Sequence, residues 1–342
     1  MDLHPDLVWR PLVASDAPAL LRLLNAVEEA DAQPFRMSLP EVEEMLDEPW
    51  RDLGRDTVVG TDEDGVPRAY MTLVAPPGDT SERRVFLDGG VEQAWRGRGI
   101  GRALVAWALA RSAEMLADVP AGVPWRVGVI CGDEDARARR LFERAGLAPL
   151  RWYASLRRDL AEPLPDVVVP DGVSVATWTP DDDEDVRLAH NAAFADHWGS
   201  QPMSAEDWAS GRAMFAPGWS LVARDTTRAG EPVVGYALAD RFEEDWPAQG
   251  FTSGYVARLG VLSEHRGRGL ASALLVEACR RVAADGLEAV TLGVDTANPT
   301  GAFRLYTSLG FEPYHGEVLH AVTSQDLPDV RGLVTLARRL AP

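Results

Sequence analysis

Lysine is absent from this 342-residue chain, so its 34 basic side chains other than histidine are all arginine. That excludes a phosphate loop ending in Gly-Lys-[Ser/Thr], which needs its lysine. The bias most simply reflects a GC-rich genome. Positive charge is scarce as well: 53 acidic residues leave a net charge of −19. A general nucleic-acid binder would need a basic face and is not expected; the acidity confers solubility or favours a cationic substrate. Cysteine is nearly missing, with Cys131 and Cys279 in different halves. No disulfide framework follows, and a cytoplasmic protein with reduced thiols is expected. No apolar run of about 18 residues occurs, so no membrane span is expected. The opening Met1-Asp2-Leu3-His4-Pro5-Asp6 lacks a basic region followed by an apolar stretch, so no secretory signal is expected.

What is present is a repeated glycine phrase. Val91-Glu92-Gln93-Ala94-Trp95-Arg96-Gly97-Arg98-Gly99-Ile100-Gly101 returns as Val261-Leu262-Ser263-Glu264-His265-Arg266-Gly267-Arg268-Gly269-Leu270-Ala271. Arg266 stands 170 residues after Arg96, about half the chain. Each copy follows a strand-like run and opens a helix-like run. With 46% apolar residues each half can build its own core.

The order of elements repeats too. The first half reads as a strand at 7–13, a helix capped by Ser15 and Asp16, and a second helix from the Ser38/Glu41 capping box. A hairpin at 57–60 and 68–74 follows, then strand 84–91, the glycine phrase and a helix to about 115. Strand 125–131, helix 135–145 and strand 151–157 complete it. The second half repeats this from strand 173–178, with helices capped near Thr179 and Ser204. Hairpin 220–224 and 233–239, strand 254–261, helix 269–284, strand 289–294 and helix 300–309 follow. A proline-rich stretch, Glu162-Pro163-Leu164-Pro165-Asp166, separates the halves. Expected boundaries are 1–160, a linker at 161–172, 173–326, and a tail at 327–342 with Leu333, Leu336 and Leu340 at helical spacing.

The phrase suits an anion. A helix start offers unsatisfied N–H groups and a partial positive charge. Glycine lets the backbone approach closely and adopt positive φ, and arginine forks can grip phosphate. The glycine spacing differs from the dinucleotide fingerprint, which also follows the first strand of its fold.

In these loops the chain resembles the GNAT superfamily of N-acetyltransferases, whose acetyl-CoA loop reads [Arg/Gln]-x-x-Gly-x-[Gly/Ala]. Arg96, Gly99 and Gly101 match it, as do Arg266, Gly269 and Ala271. A second signature runs from Asn298-Pro299-Thr300-Gly301 through Leu305-Tyr306 to Gly310-Phe311. The resemblance implies an α/β fold of two tandem domains, each a mixed, mostly antiparallel sheet flanked by helices. It implies acetyl-CoA as acyl donor, with Asn298 on the cofactor arm and Tyr306 protonating the leaving thiolate. The cofactor site would comprise Leu259, Gly260, Val261, Leu262, Arg266, Gly267, Arg268, Gly269, Leu270 and Ala271. Its first-half counterpart would be Val91, Arg96, Gly97, Arg98, Gly99, Ile100 and Gly101. Backbone N–H groups near 259–262 would polarise the thioester carbonyl.

Aligning Leu305-Tyr306 with Leu141-Phe142 places Asn298 opposite Glu134. The first half thus lacks the phenol and the amide, and a degenerate N-terminal domain beside a catalytic C-terminal one is expected. A small-molecule primary amine is the expected acceptor. Strand 254–261 carries no acid, so the base is not identified there. Asp196, His197, Glu243, Glu244 and Tyr255 are the candidates around the acceptor. No metal is expected, and a monomer or homodimer is. Asn191-Ala192-Ala193-Phe194 and the degenerate first half resemble the mycothiol synthases, a tandem group. Antibiotic or polyamine acetylation, peptide or protein acetylation and a non-catalytic CoA-binding module remain as alternatives.

Overall fold

Strand-like and helix-like segments fold into two units of matching design in a computed structural model that describes residues 2–120, 122–297 and 301–340. The first unit holds the chain up to Trp152 together with the residues from Gly316 onward; the second is Tyr153–His315. The first contains β1 (Val8–Arg10), α1 (Ala17–Ala30), α2 (Leu39–Asp47), α3 (Leu53–Asp56), β2 (Thr57–Thr61) and β3 (Pro67–Val74). Then come β4 (Arg83–Val91), α4 (Ile100–Met115), β5 (Trp125–Gly132) and α5 (Ala136–Arg144), and the chain leaves within β6 (Ala148–Asp159). The second contains β7 (Val173–Thr177), α6 (Asp183–Phe194), α7 (Ala205–Ala209), β8 (Leu221–Asp225) and β9 (Val233–Asp240). It continues with α8 (Trp246–Gln249), β10 (Ser253–Val261), α9 (Leu270–Ala284), β11 (Ala289–Asp295) and α10 (Ala302–Ser308). The chain returns to the first unit within β12 (Glu312–Thr323) and ends in α11 (Arg331–Leu340).

Each sheet is antiparallel except for one parallel pair. In the first unit β1, β2, β3 and β4 pair in order, β4 runs parallel to β5, and the end of β12 lies antiparallel to β5. In the second, β7, β8, β9 and β10 pair in order, β10 runs parallel to β11, and the end of β6 lies antiparallel to β11. The sixth strand of each sheet therefore comes from the other half of the sequence. This corrects the expected boundaries. The crossing from the first half falls inside a strand rather than at 161–172, because residues 153–159 hydrogen-bond β11. Residues 317–323 and the tail belong to the first unit, because they pair with β5 and pack on α4.

The local signals act as their chemistry requires. Ser38 accepts from the Glu41 N–H while Glu41 accepts from the Ser38 N–H at 2.9 Å, and Ser204 with Asp207 closes a second box. Asp16 does not cap α1 with its side chain; it accepts from the Val13 N–H and pairs with Arg10 instead. Against the first sheet pack Ile100, Leu104 and Leu109 of α4, with Leu333 and Leu340 of α11. Against the second pack Leu270, Leu274, Leu275 and Val282 of α9. Each such side chain contributes about 1.5–3 kcal/mol by leaving water.

Candidate active site

The parallel pairs open the sites. β10 is paired with β11 only over Ser253–Tyr255, although β10 runs on to Val261. β4 is paired with β5 over Arg83–Leu87 and runs on to Val91. A cavity of about 1280 Å³ lies in the first unit and one of about 670 Å³ in the second. Each contains its glycine loop.

Gly97 and Gly99 take φ of 80° and 99°, and Gly267 and Gly269 take 73° and 84°. A β-carbon at Gly269 would meet nothing within 4 Å, so backbone conformation, not space, requires glycine there. The left-handed residue turns the chain so that α9 begins at the cavity, with its first N–H groups lacking intrahelical acceptors. That is a cradle for a diphosphate.

The loop arginines do not serve as expected. Arg266 donates from Nε to the Val261 carbonyl at 3.1 Å and from its fork to the Ala193 carbonyl at 2.6 Å. Arg96 donates to the Val91 carbonyl at 2.8 Å, and its fork engages the Asp31 carboxylate. Both forks tie the loop to the end of a helix, α6 or α1, so backbone N–H groups are left as the main anion ligands. Arg268 donates to the Asp171 carbonyl, and Arg98 lies 4.5 Å over the Trp95 ring.

The strand backbone is also partly committed. Leu262 N–H donates to the Val234 carbonyl at 3.0 Å, which removes it from the expected oxyanion donors. Antiparallel alternation then turns Leu259 and Val261 away from β9, toward the side where β11 has diverged. Gly260 is where Tyr236 crosses the strand: a β-carbon there would lie 2.3 Å from the Tyr236 hydroxyl.

Tyr306, on α10, is half-buried and lines the second cavity. Burial pushes its phenol up to about 12, and its hydroxyl makes no hydrogen bond with any described residue. It stays protonated at neutral pH. At the aligned place in the first unit is Phe142, buried and lining that cavity, 5.8 Å from the His320 ring. Before α5 the Asp135 carboxylate accepts from the Arg137 and Ala138 N–H groups at 2.9 Å, filling the helix start; Glu134 is exposed. Asn298 lies outside the described residues.

Of the acceptor-side candidates, only His197 lines the cavity. Its pKa is lowered by burial and then by Arg266, so it is neutral at pH 7. Asp196 and Glu244 are exposed, and Glu243 is exposed in an ion pair with Arg241. Tyr255 is half-buried, 5.7 Å from the Phe242 ring, outside the lining. Sequence reading missed His190 and Arg258, which do line it. His190 Nδ1 lies 2.7 Å from the Tyr236 hydroxyl, and its ring stacks 4.6 Å from Phe194. Burial, then Arg258, lowers it to about 4. The available signals were a histidine one helical turn before Phe194 and the only arginine on strand 254–261. The thiols take no part: burial pushes Cys131 and Cys279 to about 12.

The model of the acetyltransferase (GNAT) family matches residues 24–147 and 184–311, one match in each half. The chain belongs to that family. It is 35% identical over 262 residues to a mycothiol acetyltransferase of Nocardia farcinica, covering 75% of this chain and 80% of that one. It is 33% identical to another of Frankia alni, covering 91% and 93%. Among solved structures, a GCN5-related N-acetyltransferase from Sphaerobacter thermophilus superposes with a TM-score of 0.72 at 29% identity, covering 94% and 96%. A tandem GNAT protein from the clavulanic acid biosynthesis pathway shares the fold, with a TM-score of 0.69 at 20% identity, covering 93% and 98%. The protein is thus a tandem GNAT N-acetyltransferase that uses acetyl-CoA. No described helix is long and apolar enough to cross a membrane.

Proposed function

We propose that the C-terminal unit transfers the acetyl group of acetyl-CoA to the primary amine of a small molecule, and that the N-terminal unit performs no chemistry. The observation that carries this is the Tyr306 hydroxyl, without a hydrogen bond among the described residues, in the same cavity as the glycine loop of the second unit, against Phe142 in the matching place.

Acetyl-CoA supplies a thioester carbonyl and a thiolate leaving group. The N–H groups at the start of α9 hold its diphosphate, and those of Leu259 and Val261 meet the carbonyl oxygen as negative charge grows. An alkyl amine with pKa about 10.4 must shed its proton at pH 7, at a cost of roughly 4–5 kcal/mol. His197, uncharged and on the cavity wall, takes that proton or the one released on attack. Tyr306 gives its proton to the departing sulfur; of the two protons an ammonium loses on becoming an amide, one passes through His197 to solvent and the other restores the Tyr306 phenol.

A charge placed in each first helical turn tests the assignment. Ala271→Glu sets a carboxylate against the diphosphate in the second unit, and Gly101→Glu does so in the first. Thiol release with a panel of amines is expected to collapse in Ala271→Glu and to survive in Gly101→Glu. The opposite pattern contradicts the proposal. A second reading takes the acceptor to be that of the mycothiol acetyltransferases; it is favoured by 33% identity maintained over 91% of the chain.

A further inference from the structure

Arg258 is a cation with no hydrogen-bond or ion-pair partner among the described residues. It lies on β10 one residue past a bulge, where the register with β9 shifts between Val256 and Arg258. Its guanidinium lines the second cavity 5.2 Å over the Trp208 ring. Among the described residues it makes no hydrogen bond and no ion pair; Asp240 acts on it only through space. Burial lowers its pKa, with the Asp240 carboxylate opposing the shift through space, and the guanidinium stays charged. An enclosed, unpaired charge is costly to a fold. Arg258 lines a space that a ligand can enter.

The tandem repeat sharpens the point. In the first ladder Tyr70 stands opposite Gly90 and Thr72 opposite Asp88. In the second Tyr236 stands opposite Gly260 and Leu238 opposite Arg258. Asp88 and Arg258 therefore occupy one position with opposite charge. Asp88 is satisfied within its own unit, accepting from the Tyr70 hydroxyl at 3.3 Å. In the second unit the tyrosine hydroxyl turns to His190, and Arg258 is left open.

The anion it awaits is not the diphosphate of the donor. Arg258 lies three strand residues before Val261, about 10 Å at 3.3 Å per residue, and the glycine turn begins beyond that. It sits with His190, Trp208 and Tyr236, the cluster beneath α6, on the sheet face opposite α9.

From these placements we infer that Arg258 binds an oxyanion carried by the acceptor itself, so that the substrate class is an amine bearing a carboxylate or phosphate. This deepens the proposed function and rests on it for the reaction, though not for the anion site. The fork accepts two oxygens side by side, while the amine projects toward Tyr306 and His197. The Trp208 ring, 5.2 Å from the guanidinium carbon, supports the cation through its π face.

Two arms test it. In the first, equilibrium binding of N-acetylglycine, N-acetylglycinamide and O-phosphoethanolamine is measured by calorimetry on the full chain with CoA present. The carboxylate or the phosphate ligand is expected to bind at least about 10-fold tighter than the amide. Which of the two wins identifies the oxyanion. Arg258→Met should abolish the preference, Arg258→Lys should keep part of it, and CoA affinity should hold in both. In the second, kcat/KM is compared for amino acids and their amides. Arg258→Met should lower the acid by about 10–100-fold more than the amide. Equal binding of anion and amide to the wild type, or loss of CoA affinity in place of the preference, overturns the inference. Anion-selective binding without acetylation of any amine upholds the site and overturns the proposed function instead.

Discussion

The Tyr236 hydroxyl meets His190 Nδ1 at 2.7 Å, directly over the Gly260 backbone. The pair joins α6 to β9 beside Gly260 of β10, and it has a pH consequence. His190 is held neutral, at about 4 against an ordinary 6.5, first by burial and then by Arg258. A base with a lowered folded pKa contributes stability that is whole above about 6.5 and is lost as pH falls toward 4. The loss is of order 3 kcal/mol over that window. His190→Phe should flatten this part of the stability profile and cost about 1–3 kcal/mol at pH 7 by orphaning the buried phenol. Urea unfolding at pH 7 and pH 5 measures both; an unchanged difference between the two pH values would refute the pairing's role.

The loop arginines give a second expectation. Because Arg266 holds the Val261 and Ala193 carbonyls, Arg266→Gln should act by loosening the loop rather than by deleting a phosphate contact. CoA should bind more weakly while the slope of its affinity against ionic strength stays as in the wild type. A markedly shallower slope would return the guanidinium to the phosphate.

Gly269 offers a third. At φ 84°, Gly269→Ala meets no obstacle, yet it forces a side chain into the left-handed region. A cost of about 1–2 kcal/mol in thermal unfolding is expected, with weaker CoA binding. A neutral substitution would mean that the loop does not need its present turn.

A fourth concerns the exchanged segments. Leu333 of α11 is fully buried in the core of the first unit. Leu333→Ala should cost about 2–5 kcal/mol, and amide exchange should accelerate in α4, on which α11 packs. Exchange unchanged in α4 would contradict the placement of the tail in that unit.

These segments mark what the sequence could and could not disclose. Hairpins, caps and both strand–loop–helix phrases were legible because their signals are local: Ser38 reads Glu41 three residues on, and a glycine permits its own φ. The partner of a terminal strand is not encoded locally. Residues 151–157 read as a strand, but nothing within them says which sheet they join. Arg258 was passed over because strand alternation gives no sign of the bulge that precedes it. The arginines of the phrase were assigned to phosphate because nothing near them in sequence reveals Asp31 or the Ala193 carbonyl.

One hydroxyl, that of Tyr306, separates the two units chemically. In Tyr306→Phe, steady-state turnover and equilibrium CoA affinity measured on the same preparation should part company: kcat lower by about 10²–10⁴-fold, dissociation constant nearly unchanged. Phe142→Ala should alter stability alone. Full turnover in Tyr306→Phe, or its loss in a well-folded Phe142→Ala, would contradict the assignment of the chemistry to the C-terminal unit.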